Sequence, residues 1–142
     1  RRGAARVARG LPETPLRVVL SSGGALDPAA RILSGDPTLV LTTGVPPAGI
    51  PAEAVPDLPA ALELLHARGV SRLLVEGGAT VHTLFLAADL VDELHVAVAP
   101  ILIGDGPPFV HPARFPSGRW RLASTGAVGD VAVLRYRRGP RG

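Results

Sequence analysis

Short, unbroken apolar runs separated by turn residues mark the front of the chain. Residues 16–21 (LRVVLS) and 38–43 (TLVLTT) are rich in leucine and β-branched residues, and each run stops at glycine, in Ser22-Gly23-Gly24 and at Gly44. Runs that do not alternate with polar residues suit strands covered on both faces, as in parallel sheets. The proline- and glycine-rich residues 45–56 predict a loop. The period then changes. In 57–69 (DLPAALELLHARG), Ala61, Leu62 and Leu65 share one stripe, Asp57 stands where a cap is needed, Pro59 is in the first turn and Gly69 follows the end. Those are the marks of a helix.

Residues 72–75 predict a third buried strand. Residues 79–89 predict a second helix, with Val81, Leu84, Phe85 and Ala88 at i, i+3, i+4 and i+7. Residues 93–103 (ELHVAVAPILI) alternate weakly and predict a strand bent at Pro100. Two more strands, 120–127 and 131–137, meet at Gly129-Asp130 as a hairpin. The predicted order is β-β-α-β-α-β with an antiparallel finish, an α/β domain with a mixed, mostly parallel sheet flanked by helices. The domain is expected to span 16–138, between an arginine-rich, linker-like segment at 1–15 and a tail at 139–142.

Composition adds limits. Apolar residues make up 46% of the 142 and mean hydropathy is +0.30, which argues against disorder and for one domain with a real core. No apolar run approaches the roughly 20 residues of a membrane span, and no signal-peptide pattern leads the chain. Cysteine is absent, so disulfides and thiolate metal sites are excluded, and a reducing, cytosolic setting is expected. Methionine is absent too, so the chain is expected to be a piece of a longer protein.

A pI near 10.9 suggests a polyanion partner, but the position of the charge argues otherwise. All 15 basic residues are arginines, and eight stand at the ends: Arg1, Arg2, Arg6, Arg9, Arg135, Arg137, Arg138 and Arg141. The 12 acids lie between Glu13 and Asp130, so the body sets seven arginines against twelve acids, a net of −5. Nucleic-acid surfaces cluster basic residues on one folded face, usually with aromatics for stacking. Here aromatics are 4% and the basic clusters fall on termini expected to fray. Nucleic acid is not an expected partner.

Candidate chemistry concentrates at residues 75–84. An apolar run ends in Glu76, and Gly77-Gly78 leads into a helix start. Ligands of open α/β sheets sit beyond the carboxyl ends of strands. A helix start offers unpaired N–H groups and the positive end of the macrodipole, so an anion such as a diphosphate is suited to it, with Thr80 adding a hydroxyl donor. Glycines would let a ligand approach the backbone. The same glycines equally serve a close helix–strand crossing, and on spacing alone that is the commoner reason for them. Glu76, likewise, is either a ligand contact or a carboxylate favoured by the helix dipole. The full GxGxxG dinucleotide fingerprint is absent.

The four histidines, His66, His82, His95 and His111, have no metal-ligand spacing and are expected to be ordinary surface or packed residues, and no metal is expected. Asp92-Glu93 reads as a solvated strand start rather than an acid/base pair, and residues 104–108 (GDGPP) as turn chemistry.

Residues 73–106 (LLVEGGATVHTLFLAADLVDELHVAVAPILIGDG) resemble the C-terminal half of the reductase domain of the bifunctional riboflavin-biosynthesis deaminase/reductase. RVVLSS (17–22), TLVLTT (38–43) and VGDVAVLRYR (128–137) extend the likeness over nearly all of the chain, with 75–94 its specific part. The resemblance implies a dihydrofolate-reductase-like fold. It also implies NADPH-dependent reduction of the ribosyl group of an aminopyrimidine ribose 5′-phosphate to a ribityl chain, as in 5-amino-6-(5-phosphoribosylamino)uracil reductases. By the same likeness Glu76 contacts the pyrimidine substrate. Gly77, Gly78, Ala79, Thr80, Val81, His82, Thr83 and Leu84 line the cofactor site, with Ser22, Thr42 and Thr43 as further cofactor-side positions. No residue stands out as a catalytic acid. A homodimer is implied, with the apolar run 94–103 at its interface.

The opening motifs of that family, a Ser-Leu-Asp-Gly strand end and an Asn-Pro…Arg phosphate-binding stretch, do not occur here. The expectation is therefore of a domain lacking its front part and a poor catalyst on its own, since positioning supplies much of an enzyme's rate. Two alternatives remain: a non-catalytic nucleotide-binding or partner-packing module, and a reductase of the same fold acting on another substrate such as a pterin, because fold does not fix function.

Overall fold

The first two apolar runs form the strands they predict: β1 (Arg17–Ser21) pairs in parallel with β2 (Thr38–Thr42), from Arg17 opposite Thr38 to Ser21 opposite Thr42. The structure, a computed structural model, describes every residue except 1, 24, 25, 37, 119 and 140–142. Gly24 of the predicted turn, Arg1 and Arg141 of the terminal arginines, and most of the predicted tail therefore lie outside the described residues. The chain divides into two compact units, residues 1–72 and 73–142.

In the first unit a short strand absent from the prediction, β3 (Ala52–Ala54), lies in the expected loop 45–56 and pairs in parallel with the far side of β2. A strand of three residues is too short to show a period, and prolines such as Pro51 and Pro56, which lack an N–H, are tolerated beside an edge strand. β2 is thus central. Its Val40 and Leu41 are each 1% exposed, and Leu41 packs with Val55, Ala61 and Leu65.

Ala61 and Leu65 come from α2 (Leu58–Ala67), whose ends follow the predicted signals. Asp57 Oδ1 accepts from the Ala60 N–H at 2.8 Å, satisfying one of the first-turn donors. Gly69 adopts φ +82°, and the Val70 N–H returns to the Leu65 carbonyl at 3.0 Å, a Schellman closure. The arginine-rich start is not linker-like throughout: α1 (Arg2–Val7) is helical, and Arg6 Nε donates to the Pro12 carbonyl.

Residues 72–75, the last of the first unit and the first three of the second, do not form the predicted strand. No described strand pairs with them, and Leu74 is exposed. An apolar run becomes a strand only when a neighbour completes its ladder, which local pattern does not report. α3 (Ala79–Ala87) stops two residues short of the prediction. It closes with Leu90 N–H on the Phe85 carbonyl, and Asp89 takes the left-handed position at φ 60°, where Arg138 bonds both its carbonyl and its carboxylate.

β4 (Glu93–Val98) ends before Pro100 instead of bending through to 103. Proline has no N–H for the ladder, and the Ile101 N–H turns back onto the Ala99 carbonyl at 2.8 Å. β5 (Trp120–Val128) and β6 (Val131–Arg138) form the predicted hairpin, with Gly129 at φ +58° in the first turn position, as a II′ turn asks. The sheet order is β4-β6-β5, antiparallel throughout. The α/β class holds, with its parallel and antiparallel parts as separate three-stranded sheets.

Among the described residues, the carboxyl-terminal arginines Arg135, Arg137 and Arg138 are paired with carboxylates rather than frayed. Arg135 and Arg138 lie in β6 and are held by Glu93 and Asp89.

Candidate functional site

α3 begins without a capping side chain. Gly78 is its N-cap, at φ −75° and ψ −178°, and the first helical bond runs from the His82 N–H to the Gly78 carbonyl at 3.2 Å. The amides of Ala79, Thr80 and Val81 therefore have no partner within the helix, and no acid occupies the first turn to meet the dipole. Such a start attracts anions.

The two glycines differ. A Cβ on Gly77 would lie 2.8 Å from Val81 Cβ, so Gly77 serves close packing against the helix that follows. A Cβ on Gly78 would meet nothing within 4 Å. Neither has positive φ, so neither is needed for a left-handed turn. Gly77 fits the packing explanation, and Gly78 leaves open room at the unpaired amides. Glu76 is exposed immediately before them, with no ion pair among the described residues.

Along α3, Thr80, His82 and Thr83 are tied to the loop after β4. Thr80 Oγ1 is 3.3 Å from His111 Nε2. Thr83 Oγ1 donates to the Ala79 carbonyl at 2.7 Å and accepts from the His111 N–H at 2.8 Å. His82 Nδ1 donates to the Phe109 carbonyl at 3.2 Å, and the two rings pack 4.9 Å apart at 39°. Val81 is half-buried, Leu84 exposed, and Phe85 buried. His111 was expected to be an ordinary loop residue and Phe109 was not singled out. They meet the helix 27 to 31 residues away in sequence, a separation no local pattern encodes.

Ser22, Thr42 and Thr43 lie in the first unit, together at the carboxyl end of the parallel strands. Ser22 and Thr43 are exposed there. Thr42 is fully buried, and its hydroxyl oxygen accepts from the Gly44 N–H at 3.2 Å, closing the turn after β2. A Cβ on Gly44 would collide with the Ser22 carbonyl, so the two strand ends approach more closely than a side chain permits.

The Asp92-Glu93 pair shows no acid/base arrangement. Arg135 grips the Glu93 carboxylate with Nη2 at 2.6 and 2.7 Å and Nε at 3.0 Å. That grip, with help from His95 and the nearby Arg137 charge and against some desolvation, lowers the Glu93 pKa to about 2. The carboxylate stays ionised at neutral pH and has no proton to give. Among the described residues no group of three or more histidines and carboxylates is gathered as a metal would need, and no helix is long and apolar enough to cross a membrane.

A family model described as the RibD C-terminal domain matches residues 1–134. The 2,5-diamino-6-ribosylamino-4(3H)-pyrimidinone 5′-phosphate reductases of Methanothermobacter thermautotrophicus and Archaeoglobus fulgidus are similar, at 35% identity over 105 residues and 36% over 108. The matches cover 65% and 67% of this chain and 49% of each relative, so the chain spans about half the length of these curated relatives. Among solved structures, a pyrimidine reductase-like protein of Corynebacterium diphtheriae aligns over 98% of this chain and 67% of its own, with a TM-score of 0.75 at 22% identity, a likeness of fold. RibD of Acinetobacter baumannii aligns over 88% of this chain and 38% of its own, with a TM-score of 0.72 and 26% identity.

Proposed function

Because the chain belongs to the RibD C-terminal domain family, we propose that it forms part of an NADPH-dependent reductase of riboflavin biosynthesis, acting on the ribosyl group of an aminopyrimidine ribose 5′-phosphate. The carrying observation is the start of α3, where open space at Gly78 adjoins the unpaired amides of Ala79, Thr80 and Val81. The fit is to a diphosphate: N–H donors, a positive helix end, and no side chain in the way. NADPH, when bound, supplies the hydride that reduces the ribosyl carbon.

The chain's own residues bind and orient. The amides and the Thr80 hydroxyl hold phosphoryl oxygens, and Val81, His82, Thr83 and Leu84, which follow in the helix, are cofactor-side positions by the family likeness. Ser22 and Thr43 present polar groups from the parallel strand ends, while Thr42 supports that edge from beneath. Glu76, an exposed carboxylate without an ion pair among the described residues, accepts N–H or O–H groups of the pyrimidine substrate. The protein works in the cytosol as a homodimer through residues 94–103, in support of which Val98, Ile101, Leu102 and Ile103 are exposed to solvent.

Titration with NADPH and with the pyrimidine ribose phosphate tests this. NADPH is expected to bind saturably, and Glu76→Ala to weaken the pyrimidine while sparing NADPH. Equal loss of both would refute the division of roles. Sedimentation of Leu102→Glu tests the dimer, which that substitution is expected to split.

A further inference from the structure

We propose that His111 is a positioning residue of the anion site at the start of α3, acting through the hydroxyl of Thr80; this rests on the cofactor role given to that helix above. Two contacts fix the loop whatever occupies the site: His111 N–H to Thr83 Oγ1 at 2.8 Å, and His82 Nδ1 to the Phe109 carbonyl at 3.2 Å. They bring the His111 ring to the first turn, with Nε2 3.3 Å from Thr80 Oγ1.

The two threonines at this end of α3 are not equivalent. Thr83's only proton is engaged by the Ala79 carbonyl at 2.7 Å, so its hydroxyl has none for a ligand. Thr80 alone has a hydroxyl proton whose direction His111 decides. If Nε2 carries hydrogen, it donates to Thr80 Oγ1 and the threonine proton turns outward, to join the unpaired amides. If Nε2 is bare, Thr80 donates to it and shows a ligand only lone pairs. A phosphoryl oxygen therefore selects the first form. The result is a relay from His111 Nε2–H to Thr80 Oγ1–H to the anion, in which each bond polarises the next. His111 itself does not touch the cofactor.

The test is fluorescence titration of the chain with NADPH, with thermal melting of each variant. H111A is expected to weaken binding about fivefold, as loss of one net hydrogen bond does. H111Q, whose side-chain N–H also reaches Thr80, should stay within about twofold of the unaltered chain, the usual margin for an intact contact. In a T80A background H111A should add nothing. If H111A does not fold, H111N, whose shorter amide does not reach Thr80, takes its place. Equal loss from H111A with and without Thr80, H111Q as weak as H111A, or no effect of H111A would each overturn the inference while leaving the cofactor role standing. Failure of the unaltered chain to bind NADPH would overturn both.

Discussion

Residues 1–72 bury a core around β2, in which Val40, Leu41 and Thr42 are almost wholly out of water, whereas the described residues of 73–142 bury one large side chain, Phe85 at 7% exposure. The first unit is held by the burial of apolar surface. The second is held by backbone pairing in its antiparallel sheet, by side-chain bonds between α3 and the loop 109–111, and by arginines clamped on carboxylates, while Leu74, Val98, Ile101, Leu102 and Ile103 remain exposed. Packing makes a firm scaffold. Hydrogen bonding and open backbone make a surface able to receive something else, and the candidate anion site lies in the unit with little core of its own.

The difference is broken most sharply by truncating side chains. Leu41→Ala should cost about 2–5 kcal/mol in chemical denaturation, the range for a buried leucine in a site that does not collapse. Leu74→Ala, at an exposed position outside residues 94–103, should cost within about 0.5 kcal/mol. Comparable losses would mean that 73–142 hides a core of its own.

Gly77→Ala comes next. Its new methyl meets Val81 on a helix where a β-branched side chain has one main rotamer, so a loss of about 1–3 kcal/mol is expected. Unchanged stability would remove the packing explanation for that glycine. Asp57→Ala should cost about 1 kcal/mol by removing the cap of α2, measured by the same denaturation.

The smallest effect is electrostatic. The Glu93 pKa is lowered from 4.5 to about 2. Its contribution to stability is therefore complete above pH 4.5 and is lost as pH falls toward 2. The side chain is 27% exposed, so solvent screening keeps the amount small. Urea midpoints from pH 6 to pH 2 should fall less steeply for Glu93→Gln than for the unaltered chain. Parallel curves would show that the Arg135 grip contributes nothing.

Local signals carried much of the fold. β1, β2, α2 with its two caps, and the Gly129-Asp130 hairpin were all legible because a period, a cap or a turn residue announces each within a few positions. β3 was not, because a three-residue strand forms only by pairing with the far edge of β2. Residues 72–75 failed for the converse reason: the apolar run is there, but no described strand pairs with it. At the candidate site, the pattern showed that Gly77-Gly78 precedes a helix but not that one glycine serves packing and the other leaves space. The contact of His111 with Thr80 depends on a loop returning across 31 residues, and no motif marks it.

Whether the bare start of α3 receives the phosphoryl oxygens of NADPH is decided by Gly78→Asp. Gly78 has an extended backbone and open space for a side chain. Aspartate there should cap the helix and keep stability equal or raise it by a few tenths, ~0.3 kcal/mol, while its charge and bulk cover the amides. A melting temperature unchanged or higher is expected, together with loss of saturable NADPH binding. A variant that melts normally and binds NADPH as the unaltered chain does would contradict it.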